Sequence, residues 1–393
     1  MSAEPILTVN VGSSSIKLSV VVDRDGVRWR RQLRGPEEGG LAALPAALAQ
    51  APPVAAVGHR IVHGGALHAE ATLITDRVRC ELIDLAALAP LHQPPAIAAV
   101  DIVRGHCPGL PAVACFDTAF HRDLPQEAVE YPLPPAWRAR YGLRRFGFHG
   151  LSHGYAARRV WELVGGASRT VVCHLGSGAS LAAVLDGTCV DTTMGFTPLD
   201  GLVQGTRCGA LDPGLVLWLL EHGRLRHAQV ADGLAHQSGL LGLAGTADMR
   251  EIARRRGEGD ENAELAVGVY LHRLCASVAG MVAALGGIDV LVFTGGVGEN
   301  DAGLRAEVAQ RLSWLGLGID ERANAEAVRG VEGEISSAGS RVRTAVVRAR
   351  EDVEIAAQTR AVLGADARPP SGPSPLSTPA GRSEDRSITR TSV

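Results

Sequence analysis

A strand, a Gly/Ser turn and a second strand occur twice in this chain, and that repetition limits the fold more than any other feature. The first copy is ILTVNV, GSSS and IKLSVVVD; the second, from Val171 to Gly187, is VVCHL, GSGA and SLAAVLDG. Aligning Gly12-Ser13 with Gly176-Ser177 places a buried-strand pattern before each turn and an alternating one after it, which predicts two related domains. Between the copies the sequence predicts a strand and turn in VAAVGHRIVHGG, an Ala-rich helix near 83–104, and a strand, LPAVACF, ending at Asp117. Beyond the second copy come helices around 212–222 and 260–285, then a buried strand, IDVLVFT, that runs into GGVGEN. Strands interleaved with helices give mixed sheets with helices on their faces, an α/β architecture. The chain has 393 residues, enough for two or three packed domains. From about Ala365 it is rich in Pro, Ser, Gly and charge, and 365–393 is expected to be a disordered tail.

Charge and composition exclude several classes. The formal net charge is -3 and the basic residues form no runs, which argues against a nucleic-acid partner. No uninterrupted apolar stretch of about 18 residues is present to span a bilayer, and MSAEPILTVNVG carries no cationic leader. A soluble cytoplasmic protein with no membrane partner is expected. The seven cysteines are scattered and never spaced C-x-x-C, a pattern that signals neither a disulfide framework nor a zinc site. Lys17 is the only lysine; either a compact ammonium is needed there or its survival is chance.

Gly/Ser turns between strands present converging backbone N–H groups, which suits phosphate. Asn10, Ser13, Ser15 and Lys17 surround the first turn, and His174, Gly176, Ser177 and Gly178 the second; each turn taken alone is more often an ordinary hairpin. The cluster Gly295-Gly296-Val297-Gly298-Glu299-Asn300 lets a base or ribose approach the backbone closely, or simply turns a strand into a helix. Arg60 in GHRIVHGG and Arg207 in GTRCG lie in polar, Gly-flanked segments where a planar fork could grip a carboxylate or phosphoryl group. Asp117, at a strand end, reads as a catalytic carboxylate or as a helix N-cap. Glu351 and Asp352 read as magnesium support or as dipole-favoured surface acids. The histidines of HRIVHGG, LHQPP and FGFHGLSH have no metal-ligand company, so hydrogen bonding to phosphate or substrate is preferred over zinc.

Together NVGSSSIK, GHRIVHGG, LAPLHQPP, FDTAFH, FGFHGLSH, CHLGSGAS, MGFTPLDGL, GTRCG, SGLLGLAGTADMR, VFTGGVGEN and AREDVEIA resemble the ordered motif set of the acetate kinases, from about residue 6 to 357. The resemblance implies two duplicated actin-like (ribonuclease H-like) domains with a central cleft, as in sugar kinases and Hsp70. It places 1–150 plus about 353–364 in the N-terminal domain and 151–352 in the nucleotide-binding one. It implies reversible phosphoryl transfer from ATP to acetate with Mg2+, or Mn2+ in its place, in a homodimer. Catalysis is assigned to Arg60, Asp117, His149 and Arg207, and the acyl pocket to Arg60, Val62, Leu91, His92, Phe148 and Pro198. Asn10 and Glu351 are assigned to the metal. Lys17, His174, the Gly176–Gly178 turn, Asp248, Met249, Arg250 and residues 295–300 are assigned to the nucleotide. Ser177, Gln93 and Arg350 each stand where the family pattern has Asn. Propionate or butyrate as acceptor, or an inactive nucleotide-binding scaffold, are the competing readings; a dinucleotide oxidoreductase is disfavoured by the glycine spacing.

Overall fold

The computed structural model describes residues 4–366, so 367–393, nearly all of the expected tail, lies outside the described residues. In the first half β1 (Ile6–Val11), β2 (Ser15–Val21), β3 (Val27–Arg34), β4 (Ala56–Ile61), β5 (Thr72–Leu73) and β6 (Ala112–Phe116) form one sheet, in the order β3-β2-β1-β4-β6-β5. In the second half β7 (Arg169–Leu175), β8 (Ala179–Leu185), β9 (Thr188–Thr192), β10 (Val290–Thr294), β11 (Gly333–Glu334) and β12 (Arg343–Val346) form another, β9-β8-β7-β10-β12-β11. The two sheets match strand for strand. β1 pairs antiparallel with β2 and parallel with β4, as β7 does with β8 and β10. The duplicated α/β fold read from the hairpins is therefore the observed one.

Residue type sets each strand's place. β1 and β10 are buried along their whole length and lie inside their sheets. β3, VRWRRQLR, is an edge strand whose arginines discourage pairing with another chain. The helix Glu261–Leu285 is long and apolar enough on average to cross a bilayer, by length and composition alone, yet it buries Val267, Tyr270, Leu271, Leu274 and Val278 in the main core beside Leu181 and Phe293. The helix expected near 83–104 is instead two helices, Asp76–Asp84 and Gln93–His106, joined through a short 3-10 turn. Proline explains the break: Pro94 fits a first helical turn, where its missing N–H is not needed, but would disrupt a helix interior.

Two helices bring the halves together. Gly150–Val164 packs Tyr155, Ala156 and Val160 against Val172, Val290 and Val292 of the second sheet. Glu351–Asp366, which ends the described chain, returns to the first sheet, where Ile355 meets Val113 and Cys115 and Ala356 meets Ile6 and Ala56. Their N-terminal residues, and the C-terminal ends of β1, β4, β6, β7 and β10, open on one cleft of about 630 Å3.

Candidate active site

Backbone geometry concentrates charge at the base of this cleft. Arg60, near the end of β4, grips Asp117 with both sides of its fork: Nε lies 3.0 and 3.1 Å from the two carboxylate oxygens and Nη2 lies 2.6 Å from one of them. Its remaining Nη1 donates to Asn10 Oδ1 at 3.1 Å, and Asn10 Nδ2 donates in turn to Glu351. Burial pushes the Asp117 carboxyl up from its usual range, against the opposing pull of Arg60 and of the His149 amide. For Glu351 burial acts the same way, but the charges of Arg60 and Lys17, with the nearby His174 ring and the Asn10 hydrogen bond, outweigh it and hold the carboxyl below its usual range. Asp117 thus acts as the anchor of a guanidinium, not as a helix cap; the following 3-10 turn is capped at Thr118.

Arg207 is different. It is half-buried, and among the described residues no carboxylate approaches it within salt-bridge distance. Its partners are neutral: Pro198 O at 3.3 Å, Gln204 Oε1 at 3.3 Å and His92 Nε2 at 3.2 Å. Burial and then the field of Arg60 lower its pKa, while burial, Arg207 and Arg60 together push the His92 imidazole down to about 3. His92 is therefore a neutral acceptor at Arg207, and the cleft holds an uncompensated positive charge.

Beside Arg207 lies a small apolar wall. Val62 and Phe148 are buried with Ala89, Phe146 and Met194, and Pro198 also lines the cleft. Leu91 is half exposed and stands outside the lining. His149 occupies left-handed backbone, φ 58°, at the start of Gly150–Val164, which turns its own amide onto the Asp117 carboxylate and the Gly150 amide onto the Asp117 carbonyl at 2.8 Å.

The two Gly/Ser turns face the cleft from opposite sheets, with Gly12, Ser13, Ser15 and Lys17 on one side and Gly176, Ser177 and Gly178 on the other. Ser177 contributes its backbone: its carbonyl accepts from the Gly205 amide at 2.9 Å. Of the third glycine cluster only Gly295 and Gly296 line the cleft. Gly295, at φ 80°, is needed because a Cβ would come 2.7 Å from the Leu175 carbonyl, whereas Gly296 opens on free space. Val297 packs on the core, Gly298 O accepts from buried Arg305, Glu299 takes the Ala349 amide, and Asn300 donates to Gly296 O. Met249 is a core residue, and exposed Asp248 and Arg250 bond to each other away from the lining. Gln93 is fully buried and donates to the carbonyls of His63 and Leu82, and Arg350 pairs with Asp352 at the cleft mouth.

Residues 43–357 match the sequence model of the acetokinase family. The chain belongs to that family. The acetate kinase of Streptomyces coelicolor is 41% identical over 406 residues, 94% of this chain and 99% of that one. The crystal structure of Porphyromonas gingivalis acetate kinase superposes with a TM-score of 0.81 at 34% identity, covering 92% of this chain and all of the other. A propionate kinase from Francisella tularensis gives 0.81 at 32% identity, over 90% and 98% of the two chains. For an acetokinase, the residues brought together here that sequence reasoning missed are Gln204, which braces Arg207, and Ser152 and Ser180; His153, a candidate for contact with phosphate or substrate as a histidine of FGFHGLSH, instead lies with Ser180 behind His149. The spacing of His149 and His153, four apart at a helix start, was the signal available for that placement.

Proposed function

We propose that the chain transfers the γ-phosphoryl group of ATP reversibly to acetate, giving acetyl phosphate and ADP. The observation that carries this is Arg207, a guanidinium without a carboxylate partner among the described residues, in a cleft it shares with a second guanidinium already neutralised by Asp117. Such an arrangement is short of one anion. A carboxylate, with a pKa of about 4 to 5, is a nucleophile at neutral pH and needs no general base. One of its oxygens attacks the γ-phosphorus, the bond from that phosphorus to the β–γ bridging oxygen breaks, and ADP leaves with the electron pair.

The barrier is chiefly the crowding of two anions, so the work falls to fixed positive charge and hydrogen-bond donors. Arg207 holds the carboxylate and the phosphoryl oxygens, Arg60 offers its face to the same oxygens while Asp117 fixes its plane, and neutral His149 donates from Nε2. Lys17 and the two backbone turns hold the outer phosphates, and Gly296 admits the nucleoside. Asn10 Oδ1 and the Glu351 carboxylate are hard oxygen donors, the type Mg2+ accepts alongside phosphate oxygens and water; no group of three His, Cys, Asp or Glu forms a cage among the described residues. Bound there, Mg2+ would supply charge neutralisation of the β- and γ-phosphates. The same reading assigns 1–150 with 353–364 to one domain and 151–352 to the other, supported by the return of the last helix to the first sheet, and it places the enzyme in the cytoplasm with its ATP.

Hydroxamate formation from ATP, hydroxylamine and acetate, propionate or butyrate tests the assignment. The value of kcat/KM should peak at acetate; a peak at four carbons rejects acetate, and no hydroxamate with ATP bound rejects transfer in favour of a scaffold. Propionate is the second reading, because the F. tularensis likeness is as close in fold. Val62→Ala should raise the propionate-to-acetate ratio of kcat/KM about tenfold, since a methylene in an apolar pocket is worth about 1–3 kcal/mol.

A homodimer belongs to this proposal. The helix Pro213–Glu221, PGLVLWLLE, buries none of its residues although nearly all are apolar, and Leu217 and Trp218 are 57% and 54% exposed. An apolar helix left uncovered marks an interface. Trp218→Glu should convert dimer to monomer at micromolar protein in light scattering; a monomeric parent protein, or a dimeric variant, would remove this face from the proposal.

A further inference from the structure

Behind the cleft a single hydroxyl joins two imidazoles. Ser180 Oγ lies 2.9 Å from His149 Nδ1 and 2.7 Å from His153 Nε2, and Ser180 and His153 are completely buried. One hydroxyl carries one proton, so it donates to one ring and must accept from the other. Both rings are neutral, burial holding each well below the ordinary histidine pKa. Each therefore has one N–H and one bare nitrogen, and only two proton arrangements remain.

In the first, His153 Nε2–H donates to Ser180, Ser180 donates to His149 Nδ1, and the His149 proton sits on Nε2. In the second every bond is reversed, the His149 Nε2 is bare and the His153 proton sits on Nδ1. Two observations select the first. His153 Nδ1 is buried and has no hydrogen-bond partner, and a buried unpaired N–H is the rarer and costlier orphan. His149 Nε2 faces the phosphate turn, since a Cβ on Gly178 would lie 3.1 Å from it; a bare nitrogen there would oppose a phosphoryl oxygen lone pair to lone pair. The neighbouring ring repeats the plan, with His174 Nδ1 2.8 Å from the Ser152 hydroxyl and its plane 4.5 Å, centroid to centroid, from His149.

We infer that Ser180 and His153 are positioning residues for phosphoryl transfer: the buried chain His153–Ser180–His149 fixes the His149 tautomer and presents its Nε2–H to the group in flight. The inference rests on the proposed contact between His149 and that group.

Long-range 1H–15N correlation spectra of enzyme labelled with 15N-histidine, with the His149 resonances identified by their loss in His149→Gln, report the tautomer without disturbing the chain. An Nε2-protonated His149 is expected; an Nδ1-protonated ring overturns the proposal. Ser180→Ala should lower kcat about tenfold, the scale on which groups that orient a reacting residue act, and leave both KM values within about twofold. The same variant should lose the pure Nε2–H signature. Ser180→Thr, which keeps the hydroxyl, should restore both. Unchanged kcat in Ser180→Ala alongside a damaged His149→Gln overturns the positioning role alone; unchanged kcat in His149→Gln overturns this role and the proposed phosphoryl contact together.

Discussion

Replacing Arg207 with alanine is expected to lower kcat by a factor of about 100 to 1000, or about 3–4 kcal/mol of transition-state stabilisation, the usual cost of deleting one charged donor aimed at developing charge. The folded state should hardly change. Arg207 bonds only to a carbonyl, a side-chain amide and a neutral imidazole, so its loss strands no buried anion, and relief of its proximity to Arg60 offsets part of what is lost. Arg60 gives a less readable experiment. Its removal would leave the Asp117 carboxylate buried and unpaired, a situation that costs about 3–5 kcal/mol of stability, and activity would fall for want of folded enzyme as much as for want of charge. Arg207→Lys should recover only part of the rate, because an ammonium has no fork to span two oxygens. Steady-state assays with acetate and ATP, paired with melting curves, separate these cases. Turnover of Arg207→Ala near the parent value would remove the central claim about this cleft.

Much of this cleft was legible in the sequence because its chemistry is carried by short segments at strand ends. The hairpin turns around Gly12 and Gly176 need only local backbone geometry, and their duplication already implied two sheets facing one another. Arg60 and Arg207 stood out because polar residues between glycines have no obvious core to join, and Asp117 because it ends an apolar strand. What the residues did not disclose depends on direction and distance. Nothing local distinguishes Gly295, whose missing side chain makes room for the Leu175 carbonyl, from Gly296, which opens on the cleft. Nothing local distinguishes Leu91, which is half exposed, from Val62, which is buried. Asp248 and Arg250, assigned to the nucleotide only through the family resemblance, satisfy each other at the head of a helix. Ser180 reads as one more small residue in a strand until the fold puts it between rings 27 and 31 positions away.

Acid should unfold this protein unusually early. His59, His63, His92, His121, His149, His153 and His174 are all held neutral, chiefly by burial: to about 3 for His59 and His92, to about 4 for His63, His121 and His174, and well below the ordinary value for the other two. The unfolded chain protonates them near pH 6.5. Because the folded pKa values are depressed, the unfolded state binds more protons below that pH. The stability is therefore intact above about pH 6.5 and is lost progressively as the pH falls from there toward the folded values of 3 to 4. One pH unit below 6.5, each such group costs roughly 1.4 kcal/mol, so a handful of them approach the whole folding free energy of about 5–15 kcal/mol. Carboxylates cannot account for a loss between about pH 6.5 and 5, since in the unfolded chain they titrate near pH 4, about 3.9 for Asp and 4.3 for Glu. Melting temperatures measured between pH 7.5 and 5 should fall steeply, and His59→Gln, outside the cleft lining and with its Nε2 unpaired, should flatten that slope without altering kcat at pH 7.5. A melting temperature that holds level across the range would mean that these imidazoles are far better solvated than their burial indicates, and the neutral state of His149 on which its donor role depends would fail with them.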